Sequence, residues 1–214
     1  MGLRDSFRDV DDRSEDLRDL ATEHPDIWGE FCGHYDLSWL YHENALEGVV
    51  LSHAELTSAL KGRPLAPETY ADIRNLRLAI DLIRREADDM GPVDIGLVER
   101  IHGILCRGSA GSEGNFPKDA FRRDIPLHRA YFHDIAQPEA IEEGFHRLME
   151  WADENEPDDD DAVRFAAHFH HEFMRIFPFT KHTGKTGRLL VNHVLIRHGY
   201  MPVIFHATER HRYY

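Results

Sequence analysis

Three basic side chains surround a glycine-containing segment near residue 184 of this 214-residue chain. Lys181, Lys185 and Arg188 supply the positive charge, and Gly184 and Gly187 lie between them. The segment follows one helical pattern and opens another, so it lies at a helix N-terminus. The first backbone N–H groups of a helix have no partner within it, and the helix dipole favours a negative group beside them. The segment therefore predicts an anion site, for which phosphate is the obvious ligand.

The predicted phosphate-binding residues are consecutive in the sequence. They are Thr183, Gly184, Lys185, Thr186, Gly187 and Arg188. Part of this run reads Gly-Lys-Thr, like the end of a P-loop, but the leading glycine of that motif would fall at Phe179. A P-loop also follows a strand, whereas this turn follows a helix. The sequence therefore argues against a P-loop.

Two apolar helical patterns flank the turn and position it. Residues 162–176 carry apolar side chains at helical spacing, and Pro178 ends that helix. Residues 189–196 form a second apolar pattern, which ends before Gly199. Both patterns predict buried helices, so the turn joins two helices of the core.

Helical periodicity also dominates the rest of the chain. Further helices are predicted over residues 37–46, 54–60, 68–86, 93–105 and 138–153. Strand patterns are scarce, and residues 121–127 are the best candidate for a short hairpin. The prediction is an all-α fold with a short β-hairpin and no linker that divides it. Residues 1–30 are expected to form an N-terminal arm and residues 31–214 the domain.

Composition limits the partners and the location. The formal net charge of −14 argues against nonspecific nucleic-acid binding, because a phosphate backbone requires a basic surface. No apolar run approaches the ~20 residues of a membrane span, and no signal peptide is visible. Cys32 and Cys106 form neither a disulfide framework nor a metal-type pair. We expect a cytoplasmic protein that binds neither nucleic acid nor membrane.

Sixteen histidines raise the question of a metal site. On a helix, His168 shares a face with His171 or Glu172, at the spacing of metal ligands. However, no His-Glu-x-x-His motif is present, and histidines are common packing or surface residues. No metal site is predicted.

Residues 177–188 read Phe-Pro-Phe-Thr-Lys-His-Thr-Gly-Lys-Thr-Gly-Arg. This stretch resembles, without a gap, the active-site loop of the Fic (Fido) family, whose signature is His-Pro-Phe-x-Asp/Glu-Gly-Asn-Gly-Arg-x-x-Arg. Residues 44–48 are similar to the self-inhibitory helix of that family, which is expected around residues 38–48. A substrate-docking flap is expected around residues 116–132. The resemblance implies the Fic fold, a helical domain with a short β-hairpin flap.

The loop departs from the family signature at the positions that carry its chemistry. The general base of the family is a histidine, which here is Phe177, and a phenyl ring cannot accept a proton. The acidic magnesium ligand is here Lys181, whose charge repels a metal. Gly184, Lys185 and Arg188 retain the phosphate-binding part. The resemblance thus implies a degenerate loop that binds ATP or another nucleotide, while Lys181 argues against magnesium.

In self-inhibited members of that family, a glutamate reaches the last arginine of the loop and blocks productive placement of the nucleotide's terminal phosphate. The resemblance gives this inhibitory role to Glu47, with Arg188 as its partner. Glu43 stands where the inhibitory motif has serine or threonine, so the match is partial. The alternative is that Glu47 is a solvated surface residue before Gly48.

Three functions stay open from the sequence. The resemblance implies a protein adenylyltransferase, which moves AMP from ATP to a hydroxyl of a target protein. Phe177 and Lys181 favour instead a non-catalytic regulator that binds a nucleotide or a phosphorylated partner. The third function is a metal-free reaction on a phosphate-bearing small molecule, with His182 as a relocated acid or base and Lys181 as a nucleophile. For His182 the simpler alternatives are a hydrogen bond to bound phosphate or exposure to solvent.

Overall fold

Helices form nearly all of the regular structure. The computed structural model describes residues 3–62, 67–108, 116–126, 134–158 and 161–213. The α-helices of these residues are α1 (Leu3–Glu23), α2 (Pro25–Leu46), α3 (His53–Leu60), α4 (Pro67–Asp88), α5 (Ile95–Leu105), α6 (Ile141–Glu154), α7 (Ala162–Ile176), α8 (Thr183–Arg197) and α9 (Arg210–Tyr213). The predicted all-α fold is confirmed, and each predicted helix overlaps an observed one. None of these helices is both long enough and apolar enough to cross a bilayer.

Local sequence signals explain several helix boundaries. Ser52 and Glu55 form a capping box at the start of α3, in which each side chain binds the backbone N–H of the other residue. Asp94 caps α5 by accepting a 2.6 Å hydrogen bond from the backbone N–H of Leu97. Pro25 occupies the first turn of α2, where its missing N–H removes no helical hydrogen bond. These boundaries follow from residues within one turn of each helix start.

Helix α8 lies at the centre of the fold. It packs against α4, α5 and α7, and every residue from 183 to 195 is buried. Leu189, Leu190 and Val194 of α8 belong to the hydrophobic core. Because the helix is covered on all sides, its basic residues need partners inside the protein.

The predicted β-hairpin flap over residues 116–132 falls partly outside the described residues. Its described part contains turns and one isolated antiparallel bridge, which joins Phe121 to Phe179. Arg122 reinforces this junction, because its Nε donates a 2.7 Å hydrogen bond to the carbonyl oxygen of Phe177. The described part of the flap is thus attached to the loop between α7 and α8, and the hairpin itself stays a prediction.

The N-terminal residues are helical and contact the segment that follows α8. Helix α1 packs against α2, and Tyr200 donates a 2.6 Å hydrogen bond to Asp11 of α1. Helix α2 runs without interruption through residue 30, and its last turns hold the segment that resembles an inhibitory helix. The division of the chain into an arm and a domain stays a prediction.

Candidate functional site

The turn between α7 and α8 holds two residues in the left-handed backbone region. Phe177, with φ of 47°, ends α7, and His182, with φ of 60°, precedes α8. Residues other than glycine adopt this region rarely, so surrounding contacts must hold them there. Thr183 supplies such a contact, because its Oγ1 accepts a hydrogen bond from the N–H of Phe179 and donates one to its carbonyl, both at 2.9 Å. This contact closes the turn immediately before α8.

All six predicted phosphate-binding residues lie in the first turns of α8 and are buried. Gly184 shows how closely this end of the helix is packed. A Cβ atom at this position would lie 2.9 Å from both Arg188 Nη1 and Glu47 Oε1. The N-cap residue, His182, makes no capping hydrogen bond through its side chain. The carboxylate of Glu47 therefore lies against the N-terminal turn of α8, where the helix dipole favours a negative charge.

The C-terminal end of α2 contacts two buried cations of α8, Lys185 and Arg188. Arg188 Nε donates a 2.8 Å hydrogen bond to Glu43 Oε2, and Arg188 Nη2 donates a 2.9 Å hydrogen bond to Glu47 Oε1. Lys185 Nζ donates to Asn44 Oδ1 at 3.0 Å. The predicted contact between Glu47 and Arg188 is thus present, and its inhibitory role stays a prediction.

Burial shifts the protonation of the groups at this contact. It lowers the pKa of the Lys185 ammonium, an effect that Glu47 and Glu43 oppose. It raises the pKa of the Glu43 carboxyl, and the guanidinium of Arg188 opposes that shift. Burial, and then the nearby charge of Lys185, lower the pKa of His182, so its imidazole is neutral near pH 7. The charged groups are therefore poorly hydrated, and each depends on its neighbours.

Two further residues of this contact have little or no signal in the sequence. Asn44 lies in the stretch that resembles an inhibitory helix, but its bond to Lys185 depends on how α2 crosses α8. Asp72 of α4 is half-buried, and its negative charge acts on both His182 and Lys185. Only the packing of α4 against α8 brings Asp72 to the site, so no local pattern identifies it.

His102 of α5 supports the loop from another side. Its Nε2 lies 3.2 Å from the carbonyl oxygen of Lys181, and its ring centroid lies 4.2 Å from that of Phe179. Burial lowers the pKa of His102 to about 4, so the ring is neutral at pH 7. In the tautomer protonated at Nε2, it donates a hydrogen bond to the Lys181 carbonyl. His102 is therefore a positioning residue for the loop.

The loop residues at which the sequence predicted lost or relocated chemistry differ in their exposure to solvent. Phe177 is buried, Lys181 is exposed and His182 is half-buried. The phenyl ring of Phe177 offers no acid or base, whereas the neutral imidazole of His182 lies near the charges of Lys185 and Asp72. The arrangement can hold an anion at the start of α8 and presents one imidazole beside it.

The histidines of α7 pack against their neighbours. The ring of His168 lies 4.4 Å from that of Trp151, and His171 Nε2 lies 3.9 Å from a carboxylate oxygen of Glu172. Within the described ranges, no three His, Cys, Asp or Glu side chains are grouped as metal ligands.

A model of the Fic/DOC family matches residues 92–195, which contain α5, α6, α7, the loop and nearly all of α8. Residues 92–195 are a Fic/DOC domain. The resemblance of the loop to the Fic family is thereby confirmed. Helix α2, which brings Glu43 and Glu47 to the loop, precedes the matched part of this Fic domain.

The Fic domain is similar to a curated adenylyltransferase and to solved Fic structures. The chain is 38% identical over 182 residues to Protein adenylyltransferase Fic from Nematostella vectensis, matching 82% of this chain and 41% of that protein. It thus spans about two fifths of the length of this relative.

Two solved structures share the fold. The crystal structure of a Fic domain containing signaling protein from Bacteroides thetaiotaomicron has a TM-score of 0.77 at 22% identity, covering 97% of this chain and 78% of that one. Fic-1 from C. elegans has a TM-score of 0.74 at 21% identity, covering 99% and 62%. At these identities the structures support the Fic fold of the chain.

Proposed function

We propose that this Fic domain binds a nucleotide, is of the protein adenylyltransferase type, and is held closed by the end of α2. The name of the curated relative supports the reaction type, in which AMP passes to a hydroxyl of a target protein. The contact of Arg188 with Glu43 and Glu47 carries the proposal, because it pairs a cation of the predicted phosphate site with carboxylates of α2.

Glu47 competes with a phosphate group for the same place. Its carboxylate lies against the N-terminal turn of α8 and pairs with Arg188, so it has the charge and position that a bound phosphate requires. Its side chain is 31% exposed, so it can turn towards solvent and regain hydration. Movement of Glu47 would therefore open the site, and its return would close it.

The residues present fit a nucleotide. The ligand would be held by Lys185, Arg188 and the first backbone N–H groups of α8. When bound, ATP would supply the α–β phosphoanhydride bond, whose cleavage would transfer AMP to the hydroxyl oxygen of the target and release pyrophosphate. Thr183 and His102 would keep the loop in the conformation that presents these groups.

The residues present do not fit magnesium. The position at which the family has an acidic ligand holds Lys181, and an ammonium group has no lone pair to offer a metal. No step is therefore assigned to a metal. His182 is the histidine of residues 177–188, and burial lowers its pKa, so its imidazole is a base at neutral pH.

A second candidate function is regulation by nucleotide binding without transfer. The buried phenyl ring of Phe177 favours it, because the position of the family's general base has no group that accepts a proton. The two candidates share the same ligand site and differ only in whether bond cleavage follows binding.

Incubation with ATP labelled at the α-phosphate tests both candidates. The intact chain and its Glu47→Gly variant are compared, with and without magnesium, for label on protein, for released nucleotide products and for equilibrium binding. We expect Glu47→Gly to bind ATP more tightly than the unchanged chain. Label on protein supports the transferase, binding without turnover supports the regulator, and no binding by either protein contradicts the proposed site.

A further inference from the structure

We propose that Glu43 is a specificity-determining residue of the nucleotide site. Its charge makes the site favour a nucleoside mono- or diphosphate over a triphosphate. This inference rests on the proposed function, because it concerns which nucleotide the same site accepts. It depends on a difference between the two carboxylates that hold Arg188.

Glu43 is a fixed partner of Arg188, whereas Glu47 is a movable one. The Glu43 side chain is 2% exposed and that of Arg188 is 0% exposed, and their ion pair measures 2.8 Å. Separating a buried pair leaves uncompensated charge in a poorly hydrated place, which is strongly unfavourable. Glu47 is instead 31% exposed and lies at the C-cap of α2, before Gly48 with φ of 87°. When Glu47 withdraws, Glu43 stays on Arg188.

Glu43 thereby offsets the charge of the one arginine in the predicted phosphate set. The Nε atom of Arg188 is committed to Glu43, which reduces the guanidinium's ability to grip a phosphate with its planar fork. Lys185 is held differently, because its partner is the neutral amide of Asn44. The charge of Lys185 is therefore not offset by that partner, and Lys185 is the principal phosphate contact.

The balance of charges around the turn also favours a short phosphate chain. The buried cations Lys185 and Arg188 lie beside the carboxylates of Glu43 and Glu47, and the charge of Asp72 also acts on Lys185. With Glu47 withdrawn, these two cations and the carboxylates of Glu43 and Asp72 leave no net charge. Each further phosphate on a nucleotide adds negative charge that this site does not match. Without a divalent cation, a shorter phosphate chain fits better.

Removal of the Glu43 charge should change the preference among nucleotides rather than only the affinity. The experiment measures dissociation constants of AMP, ADP and ATP by calorimetry without divalent cations, in a Glu47→Gly background that opens the site. The compared chains carry either Glu43, Glu43→Ser or Glu43→Gln. Glutamine keeps the shape and a hydrogen-bond acceptor for Arg188, so it preserves the fold if serine does not. Glu30→Ser, in the same background, removes one exposed charge from the same helix as a matched control.

With Glu43 present, ATP should bind no more tightly than ADP. In the Glu43→Ser or Glu43→Gln chain, the ratio of ADP to ATP dissociation constants should rise at least fivefold, and Glu30→Ser should leave it unchanged. If the ratio of ADP to ATP dissociation constants is the same with and without the Glu43 charge, the inference is overturned and the proposed function still stands. Failure of all three nucleotides to bind any of these chains overturns both.

Discussion

Arg188 and Glu43 form an ion pair of 2.8 Å between Nε and Oε2 that is almost completely shielded from solvent. Arg188 lies in the second turn of the central helix α8, and Glu43 lies near the end of α2. The pair therefore attaches the proposed inhibitory element to the helix that carries the proposed anion site. It also makes the stability of the fold depend on residues of the site.

Replacement of Arg188 by alanine should reduce stability strongly. The substitution leaves the buried carboxylate of Glu43 without its cation, and breaking such a pair costs about 3–5 kcal/mol. Urea unfolding at pH 7 measures the loss. Arg188→Ala combined with Glu43→Gln should recover part of it, because no buried charge then lacks a partner. Arg74→Ala, on an exposed position of α4, serves as control and should change stability little; an equally small loss for Arg188→Ala would show that the pair contributes nothing.

Replacement of Lys185 by alanine should weaken nucleotide binding about tenfold or more, since a hydrogen bond to a charged group contributes roughly 1.5–3 kcal/mol. Its 3.0 Å bond to Asn44 is lost as well, but that partner is neutral and leaves no unpaired charge. Binding calorimetry with ATP and ADP measures the effect in the Glu47→Gly background. Lys61→Ala, which removes an exposed lysine after α3, provides the comparison. If both lysine variants bind equally well, the turn before α8 is not the site.

Replacement of Gly184 by alanine should displace Glu47 from Arg188 and lower stability by about 1 kcal/mol, because the added methyl group would lie 2.9 Å from the ends of both side chains and Glu47 can turn away. Gly103→Ala is the matched control, since a Cβ at that position of α5 meets no atom within 4 Å. Alanine there should raise stability by about 0.5–1 kcal/mol through helix propensity. Thermal and urea unfolding of both variants give the comparison. Equal changes in the two would contradict the close approach at Gly184.

Stability should fall in acid partly because of His102. Burial lowers the pKa of His102 in the folded state from 6.5 to about 4. Between these two values, His102 therefore binds a proton in the unfolded chain but stays neutral in the folded chain. The contribution of His102 is fully present above pH 6.5 and is lost as the pH falls towards 4. At about 1.4 kcal/mol per pH unit, the loss approaches roughly 3 kcal/mol.

The variant His102→Asn isolates this effect among the other histidines. Between pH 7 and pH 5, this variant should lose less unfolding free energy than the unchanged chain. The control His146→Asn, at an exposed position of α6, should lose as much as the unchanged chain. Urea unfolding at both pH values gives the difference. Parallel curves for His102→Asn and the unchanged chain would rule out the buried neutral imidazole.

The sequence alone predicted the helices from α3 to α8 and the end of α2, together with the loop and the basic residues at the start of α8. These features are local: apolar spacing defines α7 and α8, Pro178 ends α7, and consecutive residues carry the loop signature. The contact between Glu47 and Arg188 was also predicted, but through family resemblance rather than through spacing. Residues 127–132 of the expected flap lie outside the described part of the chain, so its hairpin stays a prediction.

The tertiary structure decided which groups meet at the site. Glu43 and Arg188 are 145 residues apart, and the sequence marked Glu43 only as a mismatch to the inhibitory motif. Asp72 and His102 had no signal, because their positions follow from how α4 and α5 pack against α8 and its loop. A local pattern records the conformation of neighbouring residues, whereas a buried ion pair depends on where two distant helices cross. The sequence by itself therefore predicted an anion site, and only packing placed the two carboxylates of Glu43 and Glu47 on Arg188.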